Sequence, residues 1–363
     1  MRINIYMTTG KKVLVAMSGG VDSSVAALLL KEQGYKITGV TMCLGVQETE
    51  GEKPRCCGPD AVDDARHVCD RLGVPHYVFD YAVELEAQVI GPFIADYARG
   101  WTPNPCVNCN RYLKFGSLLN KAKAMGFDYL ATGHYAGIDK GPSGYVLKRP
   151  KDKRKDQTYF LYHMAPERLA SVLFPLASYT KEDVRGMAAE ANLPVAAKVE
   201  SQDICFVTQK NYHAFIAGRL PGIRPGSIVD KDGNKLGEHK GVVFYTIGQR
   251  GGLGVSHKTP LYVTAIDTTG NRIIVGGKED LQSRGLLAGD LNILVRNWPR
   301  MVHAKIRYRK KEAPCTADFD KDKLRVIFEE DQEAITPGQS IVFYDGDVVL
   351  GGGVIEEVLH GTH

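Results

Sequence analysis

An α/β fold is predicted for the first part of this 363-residue chain, and two small β-rich domains for the remainder. Strand-like and helix-like runs alternate from Lys11 to about Ala136, and a Gly-Gly turn joins the first strand run directly to an apolar helix run. After about Asn211 short alternating strands replace this pattern, bounded by Pro-Gly and Asp-Gly turns. Alternation of the first kind gives a Rossmann-like parallel sheet covered by helices. The expected division is 1–211, 212–283 and 284–363, the last of these a β-barrel.

The elements follow in order. Val13–Met17 reads as the first strand and Val25–Leu30 lies on the first helix, which Gly34 closes. Tyr35–Met42 is the second strand. Pro59 opens a helix that Gly73 ends, with Ala61, Ala65, Val68, Cys69 and Leu72 on one face. His76–Phe79 is the third strand, and a helix follows to about Tyr97. Cys109–Met125 forms another helix, with Asn108 as its cap, and Asp128–His134 is a strand running into a loop. Helical patterns cover Pro166–Leu169 and Lys181–Ala191. Pro221-Gly222 and Pro225-Gly226 mark a linker. Asp232-Gly233 is a hairpin turn, Thr269-Gly270-Asn271 joins Leu261–Asp267 to Arg272–Val275, and Asp345-Gly346-Asp347 is a late turn.

Ser18-Gly19-Gly20-Val21-Asp22-Ser23-Ser24 is the most informative segment. Glycines let backbone N–H groups approach a ligand closely, and the first turn of the following helix offers unpartnered N–H groups where the dipole favours negative charge. Such a turn holds phosphates, and Asp22 could hold a magnesium ion. No lysine follows the glycines, so the pattern is neither G-x-x-x-x-G-K-[ST] nor G-x-G-x-x-G. It resembles the S-G-G-x-D-S loop, the PP-loop of enzymes that split ATP into AMP and pyrophosphate. That resemblance implies adenylation of a carbonyl oxygen rather than γ-phosphoryl transfer.

Hydrophobic residues make up 44% of the chain, enough for a proper core, but no aliphatic run is long enough to span a membrane. Met1–Lys12 has no apolar signal-peptide core and reads as a frayed tail. These features predict a cytoplasmic protein. The net charge of +4 is modest, but its distribution is uneven. Lys148, Arg149, Lys151, Lys153, Arg154 and Lys155 surround one acid, Asp152, and the stretch Arg296–Lys311 is basic with no Asp or Glu. The two clusters line one anionic track or are two solvated surfaces; charge alone leaves both open.

Eight cysteines without a secretion signal point to reactive thiols or metal ligands rather than structural disulfides. Cys109, at a helix start close to Arg111 and Lys114, is where a reactive thiol belongs. Cys205 lies in a strand-like apolar segment, where burial would make it inert. Cys69 and Cys315 read as core filler. Cys56 and Cys57 could join Cys106 and Cys109 in a zinc site, although adjacent cysteines fit tetrahedral ligation poorly.

Taken in order, several strings resemble the tRNA-specific 2-thiouridylase family over nearly the full length. They are 16–24, 102–105, 109–115, 131–135, 155–161, 201–206, 245–250 and 307–309. The resemblance implies ATP-dependent 2-thiolation of the wobble uridine of tRNA. It puts ATP on Ala16, Met17, Ser18, Gly19, Gly20, Val21, Asp22 and Ser23, with Met42 and Gly133 near the adenosine. Cys205 would carry a persulfide delivered by a cysteine desulfurase or sulfur-relay protein, and Cys109 would be its catalytic partner. Asn104, Pro105 and Cys106 would touch the target base, which leaves its stack most easily in a single-stranded loop. His134, Lys155, Asp156, Gln157, Arg307, Tyr308 and Gln339 would contact the anticodon stem-loop of the Glu, Gln and Lys acceptors.

Many family members carry Asp where this chain has Cys106. Cys106, Cys109 and Cys205 would supply three ligands for a [4Fe-4S] cluster, an alternative sulfur route placed behind the persulfide. Two rival functions remain at this stage. One is a PP-loop ligase or amidotransferase acting on another carbonyl, which needs no paired cysteines. The other is a non-catalytic RNA-binding module with a vestigial loop.

Overall fold

The computed structural model describes residues 10–45, 59–141, 144–199, 204–207 and 212–359. The proposed zinc ligands Cys56 and Cys57, most of the N-terminal tail and residues 201–203 of the Cys205 segment lie outside this set. By contact the chain separates into two compact units, one of residues 1–88, 106–208 and 347–349, the other of 89–105, 209–346 and 350–363.

The first unit is built on a five-stranded parallel sheet. Its strands include β1 (Lys12–Ala16), β2 (Lys36–Cys43), β3 (His76–Asp80) and β4 (Tyr129–Thr132), in the order β3-β2-β1-β4 and then Val172–Leu173. The order reverses between β1 and β4, so the crevice at their carboxyl ends is the expected ligand site. Val13 and Val15 of β1 are fully buried, as are Val25 and Ala26 of helix α1 (Val21–Glu32). Helix α2 (Pro59–Leu72) adds Ala65, Val68 and Cys69 to the same core, the face expected from its spacing. Each fully buried valine or leucine contributes about 1.5–3 kcal/mol.

Several expectations need correction. Lys11 and Lys12 are not part of a frayed tail: Lys12 begins β1, and Lys11 Nζ reaches Asp128 at 2.6 Å. Cys43, at the end of β2, is disulfide-bonded, against the expectation of reduced thiols. The helix expected over 109–125 begins at Pro105. Its stretch Cys109–Leu118 is π-helical, and Asn108 has helical dihedrals instead of capping. Gly116 permits the wider turn, because a Cβ there would lie 2.9 Å from the Arg111 carbonyl oxygen. A hairpin of Gly137–Gly141 and Gly144–Lys148 follows β4 and breaks the α/β alternation. Cys205 is in a turn and exposed, not in a buried strand, while its neighbour Phe206 is buried.

The second unit contains the β-rich sequence. Gly226–Val229 and Lys235–His239 pair antiparallel across the turn predicted at Asp232-Gly233, where Gly233 has φ +85°. Tyr262–Asp267 pairs with Arg272–Gly276, with Asn271 at φ +50° in the connecting turn. Ile228, Val263 and Ile273 are the fully buried centre of this small sheet. Gln282–Ile293, Val302–Lys305, Ala313–Asp320, Lys323–Glu333, Ser340–Asp345 and the final strand form a second sheet. The final strand pairs back onto Gln282–Ile293, which closes these six strands into the expected barrel. Helix Gly91–Ala98 belongs to this unit, with Phe93 and Tyr97 edge-on to Tyr212. Among the described residues no helix is long and apolar enough to cross a membrane.

Candidate active site

The loop between β1 and α1 is held open by its own side chains. The Ser18 backbone N–H donates to Ser23 Oγ at 3.2 Å, while Ser23 and Ser24 hydroxyls donate to the Gly20 carbonyl at 3.1 and 2.8 Å. Gly20 precedes α1 with no side chain capping it, which leaves the first-turn N–H groups for a ligand. Gly19 has φ +68°, and a Cβ there would collide with the Ala61 carbonyl of α2. Gly133, just beyond β4, packs against the first turn of α1: its Cβ would lie 2.6 Å from the Ser23 nitrogen. The loop and Gly133 thus meet at the carboxyl ends of β1 and β4, where the strand order reverses.

Two lysines reach this loop from distant sequence. Lys181 Nζ lies 2.6 Å from Asp22 Oδ1, and Tyr135 donates its hydroxyl to the same oxygen at 2.9 Å. The Lys181 side chain is only 7% exposed, and that of Asp22 is 29% exposed. Lys198 Nζ donates to the Gly19 carbonyl at 3.0 Å and to Asp64. None of Lys181, Tyr135 and Lys198 was singled out from sequence. One signal was available: Lys181 is the first residue of a helix capped by Thr180 and Asp183, where the dipole disfavours a cation. A buried lysine there requires an acidic partner.

Met17, at the start of the loop, is tied to β2 through the Thr41 hydroxyl, 3.1 Å from its carbonyl oxygen. Met42, next along β2, is half-buried. Cys109 is buried and Cys106 is exposed on the same helical segment. Although solvent reaches Cys106, crowding by surrounding atoms pushes its thiol pKa up, with the Lys114 ammonium opposing. Among the described residues no three His, Cys, Asp or Glu side chains converge as a metal-binding group would. Cys106, Cys109 and Cys205 therefore do not converge in this structure as the ligands of a [4Fe-4S] cluster would.

Residues 11–209 match the family model described as a tRNA methyl transferase HUP domain. Residues 213–277 match a tRNA methyl transferase PRC-barrel domain, and 283–355 an aminomethyltransferase beta-barrel domain. The chain is 58% identical to "tRNA-specific 2-thiouridylase MnmA 1" of Syntrophus aciditrophicus, over 96% of this chain and 94% of that protein. The chain belongs to the tRNA-specific 2-thiouridylase family. It is also 49% identical to the protein of that name in Clostridium botulinum strain Alaska E43, over 97% of this chain and 99% of the relative. With the protein so named in Moorella thermoacetica the identity is 50%, over 95% and 99%.

The positions that family resemblance assigned to tRNA have varied settings. The His134 ring lies near Phe115 and Phe174, with Nδ1 2.7 Å from the Thr132 hydroxyl oxygen. Burial holds its pKa well below the ordinary histidine value, and Lys114 adds to the effect. Lys155 is half-buried. Asp156 is buried, accepting from the Thr158 backbone and hydroxyl and facing Arg149. Gln157 Oε1 accepts from the Tyr135 N–H at 2.8 Å, so it fixes the tyrosine that holds Asp22.

The basic cluster before Lys155 is laced with acids: Lys148–Asp139, Lys151–Asp183, Lys153–Asp347 and Arg154–Glu182 are all paired. Exposed pairs of this kind contribute little to stability. In the second unit Arg307 donates to the carbonyls of Ile247 and Ala334 and to the Thr336 hydroxyl, all neutral oxygens. Lys305 Nζ lies 5.8 Å from the Tyr308 ring centre. Gln339 Nε2 donates to the Thr102 carbonyl at 2.8 Å, and the Thr102 N–H donates to the Pro337 carbonyl. These bonds anchor the stretch leading to Asn104 and Pro105.

Proposed function

We propose that the protein replaces the C2 oxygen of the wobble uridine of tRNA with sulfur, using ATP. The observation that carries this reading is the open Ser18–Ser24 loop meeting Gly133 at the strand-order reversal, in a chain of this family. That loop suits a nucleotide's phosphates, and the uncapped first turn of α1 supplies N–H donors for them.

ATP sits on residues 16–23 with Met42 and Gly133 beside the adenosine. The C2 oxygen of uridine attacks the α-phosphorus and pyrophosphate leaves. AMP then departs far more easily than oxide when sulfur attacks C2. The terminal sulfur of a persulfide on Cys205 forms the new C–S bond. Attack of the Cys109 thiolate on the Cys205 Sγ breaks the S–S bond, leaving sulfur on the base and a Cys109–Cys205 disulfide that a thiol reductant must reopen. The exposure of Cys205 suits receipt of sulfur from a persulfide-carrying protein, and the burial of Cys109 suits a step internal to the protein. Asp22 is the carboxylate that would hold the magnesium ion accompanying ATP; such an ion neutralises phosphate charge.

Asn104, Pro105 and Cys106 are assigned to the target base. Lys155, His134, Arg307 and Tyr308 are assigned to the tRNA backbone of Glu, Gln and Lys acceptors, with Asp156, Gln157 and Gln339 supporting them. The matching division of labour is a catalytic domain of 1–211 and two β domains of 212–283 and 284–363, working in the cytoplasm.

The test is incubation with ATP, a persulfide donor and unmodified tRNA, followed by nucleoside mass spectrometry. 2-Thiouridine is expected, with its loss in Cys205→Ser and Asp22→Ala. A methylated nucleoside, or thiolation unchanged in either variant, refutes the assignment.

A further inference from the structure

The loop lacks the lysine that phosphate-binding loops of the G-x-x-x-x-G-K-[ST] type carry within themselves. One magnesium ion offsets only two of the four charges of ATP, so a fixed cation at the first turn of α1 would still stabilise the nucleotide and the departing pyrophosphate. Asp22 makes the need greater, since it adds a negative charge at the second residue of that helix.

We propose that Lys181 is this missing cation: a phosphate-binding residue delivered from another helix, held ready on Asp22 until nucleotide arrives. The inference rests on the ATP-binding reading of the loop. Three observations carry it. Nζ is 2.6 Å from the Asp22 carboxylate, which places the ammonium within the first turn of α1, beside N–H groups that no cap side chain engages. The side chain is more than nine-tenths buried, so its ammonium is aimed at the loop and not at solvent. Its backbone is also secured, because the Lys181 N–H donates to the buried Asp152 carboxylate at 3.1 Å, and the Thr180–Asp183 capping box fixes the helix start.

The arrangement has an electrostatic logic. A lysine at a helix N-terminus is disfavoured by the dipole and by burial. Asp22 relieves both costs in the resting protein, and a polyphosphate would relieve them more strongly. The Asp22 carboxylate is thereby a placeholder for the ligand's own charge. Tyr135, which shares Oδ1, keeps Asp22 oriented when the ammonium turns to phosphate. Lys198 does not compete for this role, since it is engaged with the Gly19 carbonyl and Asp64 on the side of the loop facing α2.

The test is equilibrium calorimetry of ATP, inorganic pyrophosphate and adenosine against the full-length wild type, Lys181→Met and Lys181→Arg. Methionine keeps the apolar stem and removes the charge. A charged hydrogen bond to phosphate predicts that Lys181→Met weakens ATP and pyrophosphate about tenfold or more. Adenosine affinity is expected to be unchanged, and Lys181→Arg to recover part of the loss. Equal weakening of all three ligands would show a merely structural lysine and overturn the inference, as would unchanged pyrophosphate affinity. If the wild type itself binds neither ATP nor pyrophosphate, the ATP-binding reading of the loop fails first, which is a distinguishable result.

Discussion

Gly133 and Ser23 approach so closely that no side chain fits between them: a Cβ on Gly133 would sit 2.6 Å from the Ser23 backbone nitrogen. The contact sets the spacing of the two loops that follow β1 and β4. Gly133→Ala is therefore expected to push the first turn of α1 away. Overpacking of this kind costs about 1–3 kcal/mol, and ATP affinity should fall with it. Thermal melting and nucleotide titration of the same sample would show both effects; a variant with unaltered melting and binding would mean that the crevice tolerates the displacement.

Tyr135→Phe removes one of the two donors on Asp22 Oδ1 and leaves the buried ring in place. Loss of a hydrogen bond to a charged acceptor predicts destabilisation of about 1.5–3 kcal/mol, less whatever solvent recovers at the partly exposed carboxylate. Urea denaturation of the two proteins side by side measures it.

His134 gives a pH dependence of definite sign. Burial lowers its pKa in the folded state, so between that value and about 6.5 the unfolded chain binds the proton and the folded chain does not. Stability from this residue is then full above about pH 6.5 and falls as the pH is lowered, by no more than about 1.4 kcal/mol per pH unit. His134→Gln should flatten that part of the curve of denaturation midpoint against pH. An unchanged slope would place the proton uptake elsewhere, with His76, whose pKa is lowered by burial and by Arg66, as the next residue to test.

Gln339→Ala frees the Thr102 carbonyl and loosens the stretch that presents Asn104 and Pro105. A net hydrogen bond of about 0.5–1.5 kcal/mol corresponds to roughly a two- to tenfold rise in the tRNA KM. The KM for ATP should not move. A change in both constants would indicate a general loss of folding instead.

Much of this protein is legible in its sequence. The alternation through β4, the Gly-Gly turn, and the hairpin turns at Gly233 and Asn271 are local signals, because they depend on side-chain period and on residues that accept positive φ. The cysteines and the family strings were equally plain as linear text. The π-helical stretch after Cys109 was not. Its wider turn follows from packing around Gly116, and an ordinary helix has the same composition. The setting of Cys205 departs from the expected buried strand for a related reason: the apolar neighbour Phe206 is buried, yet the backbone turns at that point and leaves the thiol exposed.

The sequence by itself determined the fold class and the succession of strands and helices along the first unit, since each of these rests on neighbours in the chain. Only the tertiary structure decided which charges meet. Asp22 and Lys181 are 159 residues apart, and their pairing arises because the sheet brings the α1 first turn and the Lys181 helix start to one crevice. Coulomb attraction depends on distance in space and on how much water lies between the charges. No pattern along a chain encodes either quantity until the core has packed.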